Sequence, residues 1–125
     1  MVYRIKKNIE FRIIYRKGKS FANDLLVLYI LKNRKNRDNK GNQYNKIGIS
    51  VSKKVGNSVV RSRSKRLVTE GYRIKLDNIK QGYDFVFIAR TKIKDKSYEK
   101  VDKAIDNLFK KVGLYNNEKI NDKSN

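Results

Sequence analysis

The chain has 125 residues, room for one domain with one modest core, and a formal net charge of +20 from 32 basic and 12 acidic side chains. It contains no Cys and no His, which excludes a disulfide framework, thiolate metal sites and the commonest general base. No apolar run is long enough to cross a bilayer and no signal-peptide core opens the chain, so the expected compartment is the cytoplasm, with no membrane partner.

Residues 1–7 read as a basic arm carrying Arg4, Lys6 and Lys7. Asn8 is placed to cap a helix over 9–17, with Gly18 at its C-terminal end. Phe11 and Tyr15 stand four apart on one side of it, with Arg12 and Arg16 on the next row. That pattern suits either core aromatics or a cation-flanked stacking surface for unpaired bases. Residues 25–31 form a continuous apolar run of strand length. Alternation sets Val27 and Tyr29 on one face and Leu26, Leu28 and Ile30 on the other. Residues 32–45 are a polar loop without periodicity, expected to be mobile. Over 46–53, Ile47, Ile49 and Val51 alternate with Gly48, Ser50 and Ser52. The apolar side belongs to a core; the small-residue side is either an ordinary exposed face or a strip that a ligand chain can approach closely.

The next stretch is the most informative. Gly56 and Asn57 supply a turn and an N-cap, so a helix starts near Ser58. At about 100° per residue, Val60, Ser64, Leu67, Gly71 and Ile74 share one arc, with Val68 at its edge. Arg61, Ser62, Lys65, Arg66 and Arg73 fall opposite, with Arg63 on the border. The helix N-terminus adds partial positive charge and free N–H groups beside Lys53 and Lys54. No carboxylate lies between Arg61 and Thr69, so i,i+4 ion pairs do not account for the cluster. Four of the ten arginines lie from Arg61 to Arg73, and the planar guanidinium fork matches phosphate. A phosphate-binding face is the better reading than a merely solvated one.

Residues 77–82 read as helix exit and loop, and 83–90 as a second buried strand around Phe85-Val86-Phe87-Ile88-Ala89. Asp95 or Ser97 caps a final helix whose Tyr98, Val101, Ile105, Leu108 and Val112 make an apolar stripe, with both signs of charge outside. Gly113 ends it, and 116–125 read as a disordered polar tail. The order helix, strand, strand, helix, strand, helix gives one α+β domain over 1–115, an α-β sandwich with the two later helices on one sheet face and the first on the other. Charge is polarised along the chain: residues 1–94 carry net +19 and residues 95–125 net +1, as a nucleic-acid-binding surface requires. Self-repulsion at +20 favours a monomer in the absence of RNA.

The run Lys53-Lys54-Val55-Gly56-Asn57-Ser58-Val59-Val60-Arg61-Ser62-Arg63-Ser64-Lys65-Arg66-Leu67 resembles the signature of the protein subunit of bacterial ribonuclease P, where a Gly-Asn turn precedes an Arg-Asn-Arg-x-x-Lys-Arg helix. Ser62 stands where that family usually has Asn. The likeness extends from about Ile5 to Tyr115, through Asn8-Ile9-Glu10-Phe11, Gly18-Lys19-Ser20, Val27-Leu28-Tyr29, Gly48-Ile49-Ser50-Val51-Ser52 and Phe87-Ile88-Ala89-Arg90.

The resemblance implies a left-handed βαβ crossover (ribosomal protein S5 domain 2-like), where general handedness rules favour a right-handed one. It implies a partner RNA that is itself the catalyst, aided by the protein in removing the 5′ leader of precursor tRNA. Lys53, Lys54, Asn57, Arg61, Ser62, Arg63, Lys65, Arg66 and Arg73 would then meet the catalytic RNA. Arg4, Phe11, Tyr15, Val27, Tyr29, Ser50, Ser52 and Arg90 would line the path of the leader. Mg²⁺ would be held mainly by RNA, with none bound by the protein alone. In keeping with this, the carboxylates are scattered, no Asp-x-Asp or Glu-x-x-His pattern occurs, and no protein-borne catalytic residue is expected. The alternatives are a non-enzymatic, ribosomal-type RNA-binding protein and a DNA-binding protein that lays the basic helix in a major groove.

Overall fold

The computed structural model describes residues 2–116; the expected tail, Asn116 apart, lies outside the described residues. The chain runs β1 (Tyr3–Arg4), α1 (Asn8–Lys17), β2 (Lys19–Ala22), β3 (Leu26–Lys32), β4 (Lys46–Ser50), α2 (Ser58–Arg73), β5 (Tyr83–Ala89) and α3 (Tyr98–Val112), with 3-10 turns at Leu76–Asn78 and Thr91–Ile93. The sheet order is β1-β4-β5-β3-β2. β4 is parallel to both β1 and β5, while β3 is antiparallel to β5 and β2.

The two most apolar strands, β3 and β5, lie at the centre because both of their faces are covered. Leu26, Leu28, Phe85 and Phe87 pack under α2 and α3 with Val68, Tyr72, Ile105 and Phe109. Val86, on the other face, joins Ile5 and Ile14 in a smaller cluster beneath α1. This is the expected α+β sandwich, two helices on one face and one on the other. Gly71 allows α2 and α3 to approach: a β-carbon there would stand 2.7 Å from Ile105 Cδ1.

Several expectations change, beginning with the start of α1, where Lys7 and not Asn8 is the N-cap residue and Asn8 is already helical. Gly18 does not make a left-handed cap; its φ is −76°, and the chain passes straight into β2, a strand too short and polar to read in advance. The edge strand β1 is likewise new. Ile74 is 60% exposed, beyond the end of α2, and Tyr72 takes the core position instead, its ring 6.1 Å from Phe85 and 6.5 Å from Phe109. The loop between β3 and β4 is tied down rather than loose. Asp84, at the base of β5, accepts hydrogen bonds from Asn33 (2.9 Å) and buried Asn36 (2.8 Å), and buried Asn45 donates to the Lys80 carbonyl.

Candidate nucleic-acid interface

α1 crosses the sheet face formed by Gly48, Val86 and Tyr29, which are register partners across β4, β5 and β3. The next row, Ser50–Ile88–Val27, continues the same face toward the C-terminal ends of β4 and β5. Between α1 and β4 lies a groove of about 470 Å³ lined by Asn8, Phe11, Arg12, Tyr15, Ser50 and Lys65, among others. Its aromatic wall is Phe11 and Tyr15, 6.3 Å apart, and the ring series continues beyond the groove to Tyr29, which Tyr15 meets edge-on at 5.0 Å. Tyr15 is 37% exposed, leaving a ring surface open for stacking. Burial pushes the Tyr15 phenol above its ordinary 10.0; the hydrogen bond with Ser50 opposes that rise and the neighbouring Tyr29 adds to it. At neutral pH it is a neutral hydroxyl. Two cations, Arg12 and Lys65, and no carboxylate line the groove.

Of the residues expected along a leader path, Phe11, Tyr15, Val27, Tyr29 and Ser50 thus share one face. Ser52 is exposed two residues past β4, its carbonyl accepting the Val55 N–H. Arg90, just past β5, donates through its guanidinium to the Asn23 carbonyl at 2.9 Å. Arg4 is the exception. It pairs in register with Ile47, whose side chain belongs to the core under α2 and α3, so Arg4 shares the opposite sheet face. Ile88 was not singled out from the sequence, because only the strand register reveals it between Val27 and Ser50.

The basic helix starts as its residues dictate. Asn57 is the N-cap, its side chain accepting the Val60 N–H at 3.0 Å. Lys53 and Lys54 lie exposed in the preceding turn. Core contacts run along Ser64, Val68, Gly71 and Tyr72, a face rotated from the expected arc. The cations therefore fan around the helix instead of sharing one side. Ser62 and Arg66 stand on the exposed crest, Arg63 is half-buried on one flank, and Arg61 and Lys65 lie on the other. Lys65 is the member that reaches the aromatic groove. Arg61, Arg63, Lys65 and Arg66 form no ion pair among the described residues. Arg73, unlike those four, carries an ion pair: Glu70, one turn earlier, binds its guanidinium, lowering the glutamate pKa and raising that of the arginine. A residue three positions away made that pairing legible in the sequence.

A family model for ribonuclease P matches residues 2–113. The chain belongs to the ribonuclease P protein family. Its similarity to the ribonuclease P protein component of Clostridium beijerinckii is 62% identity over 125 residues, all of both chains. With that of Clostridium perfringens strain SM101 it is 59% over 120 residues, 96% of each. Among solved structures, the RNase P protein of Staphylococcus aureus superposes with a TM-score of 0.79 at 35% identity, over 93% of this chain and 100% of that one. The RNase P protein of Thermotoga maritima gives 0.74 at 30% identity, over 86% and 96%. Membership of the ribonuclease P protein family sets aside the ribosomal-type alternative. Among the described residues, no helix is long and apolar enough to cross a membrane.

Proposed function

We propose that the chain is the protein component of ribonuclease P, which binds the catalytic RNA subunit and the 5′ leader of precursor tRNA and assists endonucleolytic removal of that leader. The observation that carries this reading is the adjacency of two unlike surfaces. Unpaired guanidinium and ammonium groups of α2 suit the phosphates of a folded RNA, and the Phe11–Tyr15–Tyr29 wall suits the bases of an unpaired strand. A reader of duplex DNA has no use for such a wall.

Phosphodiester hydrolysis belongs, on this reading, to the RNA. Five of the protein's carboxylates are already engaged: Glu10 by Lys46, Glu70 by Arg73, Asp84 by Asn33 and Asn36, Asp102 by Lys75, and Asp106 by Tyr115 and Lys110. Among the described residues, no three such ligands are grouped. The donor set does not fit a protein-held Mg²⁺, so the ion is assigned to RNA. The protein's part is affinity and alignment. A left-handed β4–α2–β5 crossover, a cytoplasmic location and a monomeric state without RNA complete the proposal.

The test is reconstitution at low Mg²⁺ with the RNase P RNA of the same organism and a precursor tRNA. The protein should raise cleavage of the precursor and tighten binding of leader-bearing tRNA more than that of mature tRNA. No improvement in either would overturn the assignment.

A further inference from the structure

A second recess, of about 400 Å³, opens at the other end of the strands, between β2, the start of β5 and the C-terminal end of α3. Lys17, Lys19, Lys32 and Lys80 line it, over a floor that includes Phe21 and Tyr83. All four lysines are exposed, none is in an ion pair among the described residues, and no carboxylate lines the recess. Glu10 and Asp84 lie in the adjoining recess, which Lys17 and Lys32 also border. Both acids are occupied there, Glu10 by Lys46 and Asp84 by Asn33 and Asn36. Lys80 donates to the Gly113 carbonyl at 2.9 Å, so one ammonium meets the partial negative charge at the end of α3. The others have no internal counter-charge.

Four like charges around one concave site repel one another, and among the described residues only Lys80, through the Gly113 carbonyl, has a partner of opposite polarity within the recess. The recess also differs in kind from α2. It carries no arginine, and ammonium groups act on phosphate as point charges rather than as shaped forks. Except for Leu31, its lining strand residues lie on the α3 side: Lys19 pairs in register with Ile30, and Lys32 with Tyr83, whereas the aromatic groove lies under α1. We propose that this lysine recess is a second RNA contact, holding the sugar–phosphate backbone of the RNase P RNA without reading its sequence, at the end of the sheet opposite the leader groove. The identity of the partner rests on the function proposed above; the polyanion site rests on the recess itself.

The experiment measures binding of the full-length protein to its RNase P RNA across a salt series. The double variant Lys19→Gln/Lys32→Gln is compared with Lys92→Gln/Lys103→Gln, which removes the same charge from exposed positions outside both sites. The recess pair should flatten the dependence of log K on log salt by about 1.4–1.8, roughly 25- to 60-fold less affinity lost over a tenfold rise in salt, while the control pair leaves the slope near wild type. Lys19→Arg/Lys32→Arg should restore the slope, and none of the three should unfold at a lower temperature than wild type. Equal slopes for the recess and control pairs, or an unchanged recess pair, would overturn the site; such a recess would suit an acidic protein instead. Failure of the wild-type protein to bind the RNA would overturn the function proposed above, and the partner named here with it.

Discussion

The ring of Phe11 rests on the backbone of Gly48, so close that a β-carbon there would stand 2.6 Å from Cε1. Gly48 is buried at the middle of β4, and the absence of a side chain is what lets α1 sit low enough to carry Tyr15 over Tyr29. The aromatic groove is thus built on a missing methyl group.

Gly48→Ala should therefore lift Phe11 and destabilise the fold by about 1–3 kcal/mol, the usual effect of overpacking a core. Thermal unfolding checks it. Combining Gly48→Ala with Phe11→Leu should recover part of the loss, because the shorter side chain clears the new β-carbon.

The two surfaces proposed to face RNA should separate by mutation. Tyr15→Ala should weaken binding of leader-bearing precursor by roughly 1–3 kcal/mol while leaving mature tRNA nearly unaffected. Arg66→Ala, on the crest of α2, should weaken assembly with the RNA subunit and flatten its salt dependence by about one contact. Equilibrium binding of each variant to each RNA gives the comparison, and identical losses for precursor and mature tRNA would remove Tyr15 from the leader path.

Tyr72 is fully buried, and its hydroxyl has no hydrogen-bond partner among the described residues. Burial pushes that phenol far above the ordinary value of 10.0. A folded-state pKa raised in this way leaves stability intact below the ordinary value and removes it as pH climbs above about 10. Tyr72→Phe should then stabilise the protein at neutral pH by about 1 kcal/mol, raise the melting temperature by about 3–6 °C, and blunt the alkaline loss. Unfolding curves at pH 7 and pH 11 test both parts.

Asp106 provides the acid counterpart. Burial raises its carboxyl pKa, but hydrogen bonds from the Tyr115 hydroxyl at 2.6 Å and from Lys110, with the charges of Lys110 and Lys75, outweigh burial and hold it below 3.8. A depressed folded pKa contributes stability above the ordinary value and loses it as pH falls through the folded one. NMR titration of the Asp106 carboxyl should give a midpoint below 3.8, and Tyr115→Phe should move it upward.

How much of this was legible depends on the range of the interaction that fixes each element. α2 announces itself through Asn57, Ser58 and a cation run, all local, and α3 through its stripe and the Gly113 that ends it, in the left-handed conformation at φ 78°. β3 and β5 are apolar enough to stand alone. β1 has two residues and exists only because β4 lies beside it, so no local pattern encodes it. Asn36 reads as a loop residue; its burial comes from Asp84, 48 positions away. Ile74 leaves the core because helical periodicity does not say where the helix stops, and Tyr72 enters it because the packed face is rotated from the arc that the apolar spacing outlines. The groove was partly visible as Phe11, Tyr15 and Ser50, whereas the arrival of Lys65 beside them needed the packing of α2 against the sheet.

That last placement has a thermodynamic consequence. Under the proposed function, Lys65 belongs by sequence to the helix assigned to the large RNA and by position to the groove assigned to the small one, so one ammonium would screen two polyanions from each other. If both occupy their sites together, the affinity of each must depend on the other, and by reciprocity to the same degree. Removing this single charge should then cost more in the ternary assembly than in either binary complex, making Lys65 a coupling element between the two ligands.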